Sequence, residues 1–335
     1  AASDVYKRQV IPDMDPTKPA QVDPRKIIEA IRDNGVTQAF GSPALWNRVG
    51  SYCVEQRIEL PSLRRALSAG GPVPVRVLEM MSKVLTGPGA DLHTPYGATE
   101  SLPVASIGAS EVLAKTAAKT RQGAGTCVGR AFPGVDIRII PVTDGPISSI
   151  NDTRELAPGE IGEIIVRSPA VTREYYLRPA PTTAAKIPDG DTFWHRIGDV
   201  GYLDKEGLLW FCGRKAHIVD TVEGPMYSVC CEAIFETSAL VYRAALVGIG
   251  EKGKQEPVVI LEPMFPGQQG KMPNFVLKSR TPDLVEMAQH AAKRSQLTAS
   301  IEKFLVIPAM PVDTRHNVKI NREALAIWAA KKLPH

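Results

Sequence analysis

The spacing of apolar residues changes at about Gly125, and that change constrains the fold more than any other feature of the sequence. Before it, apolar residues recur at helical spacing between short strand-like runs. Asp23-Pro24 opens a helix with Ile27, Ile28 and Ile31 on one face and Gly35 beyond its end. Pro74 opens another that carries Val77, Leu78, Met81, Val84 and Leu85 and is stopped by Gly87. Helices alternating with strands make an α/β layer. From Gly125 to Phe211 the period is two: Val135, Ile137 and Ile139 alternate with Asp136 and Arg138. Glu163 to Arg167 reads as a further strand, and Asp204-Lys205-Glu206-Gly207 as a turn between two more. After Gly213 the pattern mixes again, with strands at Ala244 to Val247 and Pro257 to Leu261, a helix from Thr281 to about Ser295, and a last helix near Glu323 to Lys332. The expected architecture is therefore α/β over residues 10–124, a β-rich subdomain over 125–214, and a small C-terminal α+β domain over 215–335. Residues 1–9 resemble a translated adapter sequence and are expected to be a non-native leader. The Pro-, Gly- and Gln-rich stretch Phe265 to Phe275 is expected to be a loop excursion.

Composition removes several classes of function. The 40 basic and 36 acidic residues are mixed along the chain, and without a basic run there is no electrostatic footprint for nucleic acid. No apolar run approaches the roughly 20 residues that span a bilayer, so an integral membrane protein is not expected. Five cysteines with no CxxC and no His/Cys cluster at zinc spacing read as buried thiols of a cytoplasmic protein.

The candidate chemistry starts at Thr94-Pro95-Tyr96-Gly97-Ala98-Thr99-Glu100. Here a ring can stack on a base, a glycine can let backbone approach, a hydroxyl can donate to phosphate, and a carboxylate can hold Mg²⁺ between phosphates. Taken alone, the stretch is a weak signal and reads first as a turn with an exposed Thr-Glu helix start. Ala69-Gly70-Gly71-Pro72 can present bare backbone to an adenine edge, or serve as a plain strand-to-helix loop. In Trp194-His195-Arg196-Ile197-Gly198-Asp199 the carboxylate after glycine suits the two hydroxyls of a ribose, with a surface turn as the alternative. Gly213-Arg214-Lys215 follows, and near the end comes Arg315-His316-Asn317-Val318-Lys319-Ile320-Asn321-Arg322.

In this order the set resembles the adenylate-forming superfamily of acyl-CoA synthetases, luciferases and peptide-synthetase adenylation domains. The stretches Gly125 to Arg130, Leu209 to His217, Cys231 to Phe235 and Arg315 to Ile320 look most like the olefin β-lactone synthetases. The likeness covers the chain from Val10 onward. It implies ATP and Mg²⁺ as cofactors and a fatty 2-alkyl-3-hydroxy acid as substrate, adenylated and then closed to a β-lactone, with other hydrocarbon-biosynthesis enzymes as partners. It also implies roles for individual residues. Gly70, Gly71 and Pro72 line the adenine with Tyr96 stacked on it and Gly97 beside it, Thr99 touches the α-phosphate, and Glu100 ligates Mg²⁺. Asp199 and Arg214 hold the ribose, and Lys319, with Thr99, is catalytic. A compact ammonium at the attacking oxygen and phosphorus stabilises the transition state more than the ground state.

Several positions depart from that pattern. Ile197 stands where many relatives carry Thr or Ser, Val318 replaces a glycine, and Ala216 sits where relatives have a hinge Asp or Lys. No Ser/Thr/Gly-rich loop ending in Pro-Lys occurs, so the chain is expected to be the C-terminal three-fifths or so of a longer enzyme and inactive alone. The alternatives are a long-chain fatty-acid–CoA ligase using CoA, a non-enzymatic AMP-binding remnant, and a structural module. The segment Asp220 to Tyr227 is a poor match to a pantetheine channel, which favours the lactone reading. His195 and His316 neighbour the motifs and have the side chain that ordinarily titrates near neutrality, but neither is assigned a catalytic role.

Overall fold

The computed structural model describes residues 8–264, 274–312 and 319–333, the first five of the second helix-bearing stretch by backbone alone. The chain divides into two compact units, one comprising Ala1–Pro95, Ser106–Ala117 and Val312–Lys319, the other Tyr96–Ala105, Ala118–Pro311 and Ile320–His335.

In the first unit three parallel strands, β1 (Gln38–Gly41), β2 (Arg65–Ser68) and β3 (Asp91–His93), lie in the order β1-β2-β3. Three helices alternate with them: α1 (Pro24–Asp33), α2 (Pro43–Glu55) and α3 (Val75–Val84). Asp23 caps α1 by accepting from the backbone N–H of Arg25, and Ile27, Ile28 and Ile31 are its buried stripe. Pro74 caps α3, whose Val77, Leu78, Met81 and Val84 are buried as their spacing requires.

In the second unit, the described residues form an eight-stranded sheet. Its strands are β4 (Tyr96–Ala98), β5 (Ser101–Ser106), β6 (Thr126–Ala131), β7 (Asp136–Ile140), β8 (Gly162–Arg167), β9 (Lys186–Asp189), β10 (Thr192–Leu203) and β11 (Leu209–Arg214). The order is β4-β5-β6-β11-β10-β8-β7, with β9 also on β10. Both faces of β8 are covered. Ile164 and Val166 join one core with Val104, Ile139, Ile197 and Leu209, while Ile165 joins another with Ile140, Ile187 and Trp194. The strict alternation expected for β7 fails at its end for the same reason, because Ile139 and Ile140 are both buried, one in each core. The β10–β11 turn is tied by Asp204, which accepts from the N–H groups of Glu206 and Leu208 and from the Trp210 indole.

The rest of this unit carries a β12 (Val219–Thr221) and β13 (Gly224–Met226) ribbon. It also carries a three-stranded sheet of β14 (Val241–Ile249), β15 (Glu256–Pro263) and β16 (Lys303–Val306). Helices α4 (Pro179–Ala185), α5 (Ser228–Phe235), α6 (Asn274–Lys293) and α7 (Arg322–Lys332) complete the helices used below. Helix α6 begins seven residues before the expected Thr281. Thr281-Pro282 has the chemistry of a helix start, but here Pro282 lies inside the helix. The four-residue β16 was not expected, and it pairs parallel to β15. The excursion expected at 265–275 falls mostly on 265–273, outside the described residues, as do residues 1–7 of the proposed leader and Arg315 to Val318. All five cysteines are free and buried. No helix among the described residues is long and apolar enough to cross a membrane.

Candidate active site

The segment Tyr96 to Glu100 does not start a helix. It is a tight antiparallel hairpin in which Ala98 pairs with Ser101 and Tyr96 with Ala105, leaving Thr99 and Glu100 at the tip. Gly97 is needed because a Cβ there would sit 2.5 Å from the Ser101 carbonyl oxygen. The hairpin projects the Tyr96 ring onto Phe211, centroids 6.0 Å apart, and leaves Thr99 exposed.

Strand β10 brings Asp199 to the same place. The ladder shifts register between Arg196 and Val200, and Gly198 takes a left-handed φ of +79° that a side chain would resist. Beyond this kink Asp199 stands directly opposite Arg214 on β11. The Arg214 guanidinium donates to Asp199 Oδ1 at 2.8 Å, and the Tyr96 hydroxyl donates to Oδ2 at 2.7 Å. Burial, and then the Asp199 charge, raise the Tyr96 phenol well above its ordinary value, so it stays a donor. Asp199 is only 4% exposed, and a buried charge needs such partners.

The carboxylate of Glu100 is held separately. The Tyr175 hydroxyl donates to its Oε1 at 2.8 Å. Burial pushes the Glu100 carboxyl up, but the Tyr175 bond, its own backbone N–H and the nearby His195 and Lys186 leave it below its ordinary value. Tyr175 is pushed up to about 12 by burial and by that bond. Among the described residues no other side chain donates to Glu100, and no group of three or more His, Cys, Asp or Glu residues gathers to hold a metal. One carboxylate with a neighbouring hydroxyl fits Mg²⁺, which usually takes one or two protein carboxylates and fills its other positions with water and phosphate.

Arg196 lies just before the kink and is structural. It donates to both oxygens of Glu163, at 3.0 and 2.7 Å, and to the carbonyls of Thr143, Gly145 and Ala184. Lys215 donates to the same carboxylate at 3.1 Å. Ile197 belongs to the sheet core, where a hydroxyl would be buried.

His195 departs from expectation. It is 1% exposed, and its Nδ1–H donates to the Ala185 carbonyl at 3.2 Å. Burial and neighbouring Lys186 push it from 6.5 down to about 4. The unfolded chain therefore binds a proton here that the folded chain refuses, so this group lowers stability as pH falls from 6.5 toward 4. The His195 ring resonance in NMR is expected to stay at its neutral position from pH 8 to pH 5, and a midpoint near 6.5 would contradict this environment. His316 lies outside the described residues.

Tyr96, Gly97, Asp199 and Arg214 thus form one cluster and Glu100 with Tyr175 another, all in the second unit. Gly70, Gly71 and Pro72 lie in the first unit, in the loop between β2 and α3, where Gly70 takes φ +97°. Lys319 also falls in that unit and is exposed. Tyr175 and Lys186 were not foreseen, since neither stands in a periodic run or beside a motif glycine.

The chain belongs to the AMP-binding enzymes: the model of that family, described as AMP-binding enzyme, matches residues 10–176. Among curated proteins it is similar to the olefin beta-lactone synthetase of Stenotrophomonas maltophilia, 47% identical over 97% of this chain and 56% of the relative. It is likewise similar to the olefin beta-lactone synthetase of Xanthomonas campestris, 45% identical over 96% of this chain and 56% of the relative. The chain spans 56% of the length of these relatives. Among solved structures, the O-succinylbenzoate coenzyme A synthetase of Bacillus subtilis in complex with ATP and magnesium ion superposes with a TM-score of 0.66. It is 22% identical, with 91% of this chain and 54% of that one covered, and supports the fold alone.

Proposed function

We propose that this chain is part of an enzyme that activates a 2-alkyl-3-hydroxy fatty acid with ATP and closes the acyl-adenylate to a β-lactone. The observation that carries the nucleotide half is the junction of Asp199 and Arg214, paired across one hairpin, with Tyr96 from 103 residues away, all within hydrogen-bond distance. Asp199 and Arg214 hold the ribose, Tyr96 holds the adenine, and Thr99 meets the α-phosphate. Bound Mg²⁺ neutralises phosphate charge, and Glu100 is the residue that would hold it. Lys319 stands by the carboxylate oxygen as it attacks phosphorus. The mobile domain at 215–335 is part of the same reading.

In the second step the 3-hydroxyl oxygen bonds to the activated carbonyl carbon, AMP leaves with the electron pair of the broken bond, and the hydroxyl proton passes to base. Holding the hydroxyl in an attack geometry makes this step unimolecular, and well-oriented intramolecular reactions reach effective molarities on the order of 10⁵–10⁸ M, which removes the need for a thiol acceptor. His195 is a poor candidate for the base, since its Nδ1 is committed to Ala185 and its ring is sealed from solvent. The resemblance to two olefin beta-lactone synthetases supports the lactone over the thioester product. CoA belongs only to the ligase alternative. Product analysis without CoA tests the reading: a β-lactone with AMP supports it, and a thioester formed only with CoA overturns it.

A further inference from the structure

The segment between β8 and β9 is tied to Glu100 at both backbone and side chain. The Thr172 backbone N–H donates to the Glu100 carbonyl at 2.8 Å, and three residues on the Tyr175 hydroxyl donates to Oε1 of the same residue at 2.8 Å. This segment is itself pinned. The Tyr175 backbone N–H donates to Thr182 Oγ1 at 3.0 Å, and that hydroxyl donates to the Arg178 carbonyl at 2.8 Å. Behind it the Lys186 ammonium donates to the Thr172 carbonyl and sits 5.1 Å from the Phe193 ring centre. Leu177, between the two pins, has a left-handed φ of +53°, which a leucine adopts only where its surroundings impose it.

A carboxylate at the tip of a two-residue hairpin has several rotamers open to it. The brace selects one. We propose that Tyr175 is a positioning residue: its hydroxyl occupies Oε1 of Glu100 and so presents Oε2 to a divalent cation carried by the nucleotide, while Thr182 and Lys186 hold Tyr175 in place. This deepens the reading of Glu100 as the cation ligand and rests on it.

Two physical effects of Tyr175 oppose each other, which makes the proposal testable. A hydroxyl donating to a carboxylate withdraws charge from it, so losing the hydroxyl should improve Glu100 as a ligand if charge were all that mattered. If orientation matters more, losing it weakens cation binding. Mn²⁺ binding to the 335-residue chain in the presence of ATP, read by the electron paramagnetic resonance of free Mn²⁺, separates the cases. Tyr175→Phe is expected to weaken Mn²⁺ binding about 3- to 10-fold, the range set by one ordinary hydrogen bond. Thr182→Val, which leaves the hydroxyl but frees the backbone behind it, is expected to weaken binding less. Both should leave the thermal midpoint without nucleotide within about 3 °C, since neither removes core volume. Glu100→Gln is the control on the underlying reading. If it does not weaken Mn²⁺ binding, or if the unaltered chain binds none, Glu100 is not the ligand and the proposal falls with it. If Glu100→Gln weakens binding while Tyr175→Phe leaves it unchanged or tighter, the positioning role alone is overturned.

Discussion

Asp199→Ala is expected to weaken AMP binding by about 100-fold or more. On the proposed reading two ribose hydroxyls lose an ionised acceptor, and a hydrogen bond to a charged group contributes about 1.5–3 kcal/mol. The loss is compounded because Tyr96 and Arg214 both donate to this carboxylate and lose their anchor with it. Asp199→Asn should fall between, since it keeps the volume and one carbonyl oxygen but not the charge. Titration calorimetry with AMP on the chain gives the answer. A dissociation constant within about twofold of the unaltered chain would reduce Asp199 to a residue that merely ties two strands together.

Lys319→Ala should spare nucleotide binding and remove most of the adenylation rate. The proposed reading puts its ammonium where charge builds between the attacking oxygen and phosphorus, and deleting one such donor typically costs about 10²- to 10³-fold in rate. The measurement is single-turnover formation of acyl-adenylate by the chain joined to the N-terminal residues of the Stenotrophomonas relative. Lys319→Arg should not restore the rate, because a planar guanidinium cannot replace a compact point charge. An Ala variant within about threefold of the parent would remove Lys319 from the chemistry.

Local signals made much of this fold legible. Asp23 and Pro74 announced their helices, the period-two run announced β7, and β8 lies where Glu163 to Arg167 read as a strand. Where two cores flank one strand the alternation breaks, as at Ile139 and Ile140. The expected start at Thr281 missed the first seven residues of α6, which runs through Pro282. In the site, the motif residues were readable because their glycines have backbone reasons: Gly97 faces a carbonyl, and Gly198 turns Asp199 toward Arg214. Tyr175 was not readable. It reaches Glu100 across 75 residues of chain, and only the folded sheet makes them neighbours. The near-neutral titration expected of His195 failed because burial, which the sequence around it does not display, sets its protonation.

The fate of the acyl-adenylate decides the account. The chain, joined to the N-terminal residues of the Stenotrophomonas relative, is given ATP, Mg²⁺ and a 2-alkyl-3-hydroxy fatty acid with no CoA. Products are followed by mass spectrometry, and AMP is counted. The expected result is one β-lactone per AMP, with the product lighter than the acid by one water and with no thioester when CoA is later added. AMP release that yields only the free acid, or product that appears only with CoA and is a thioester, would contradict it.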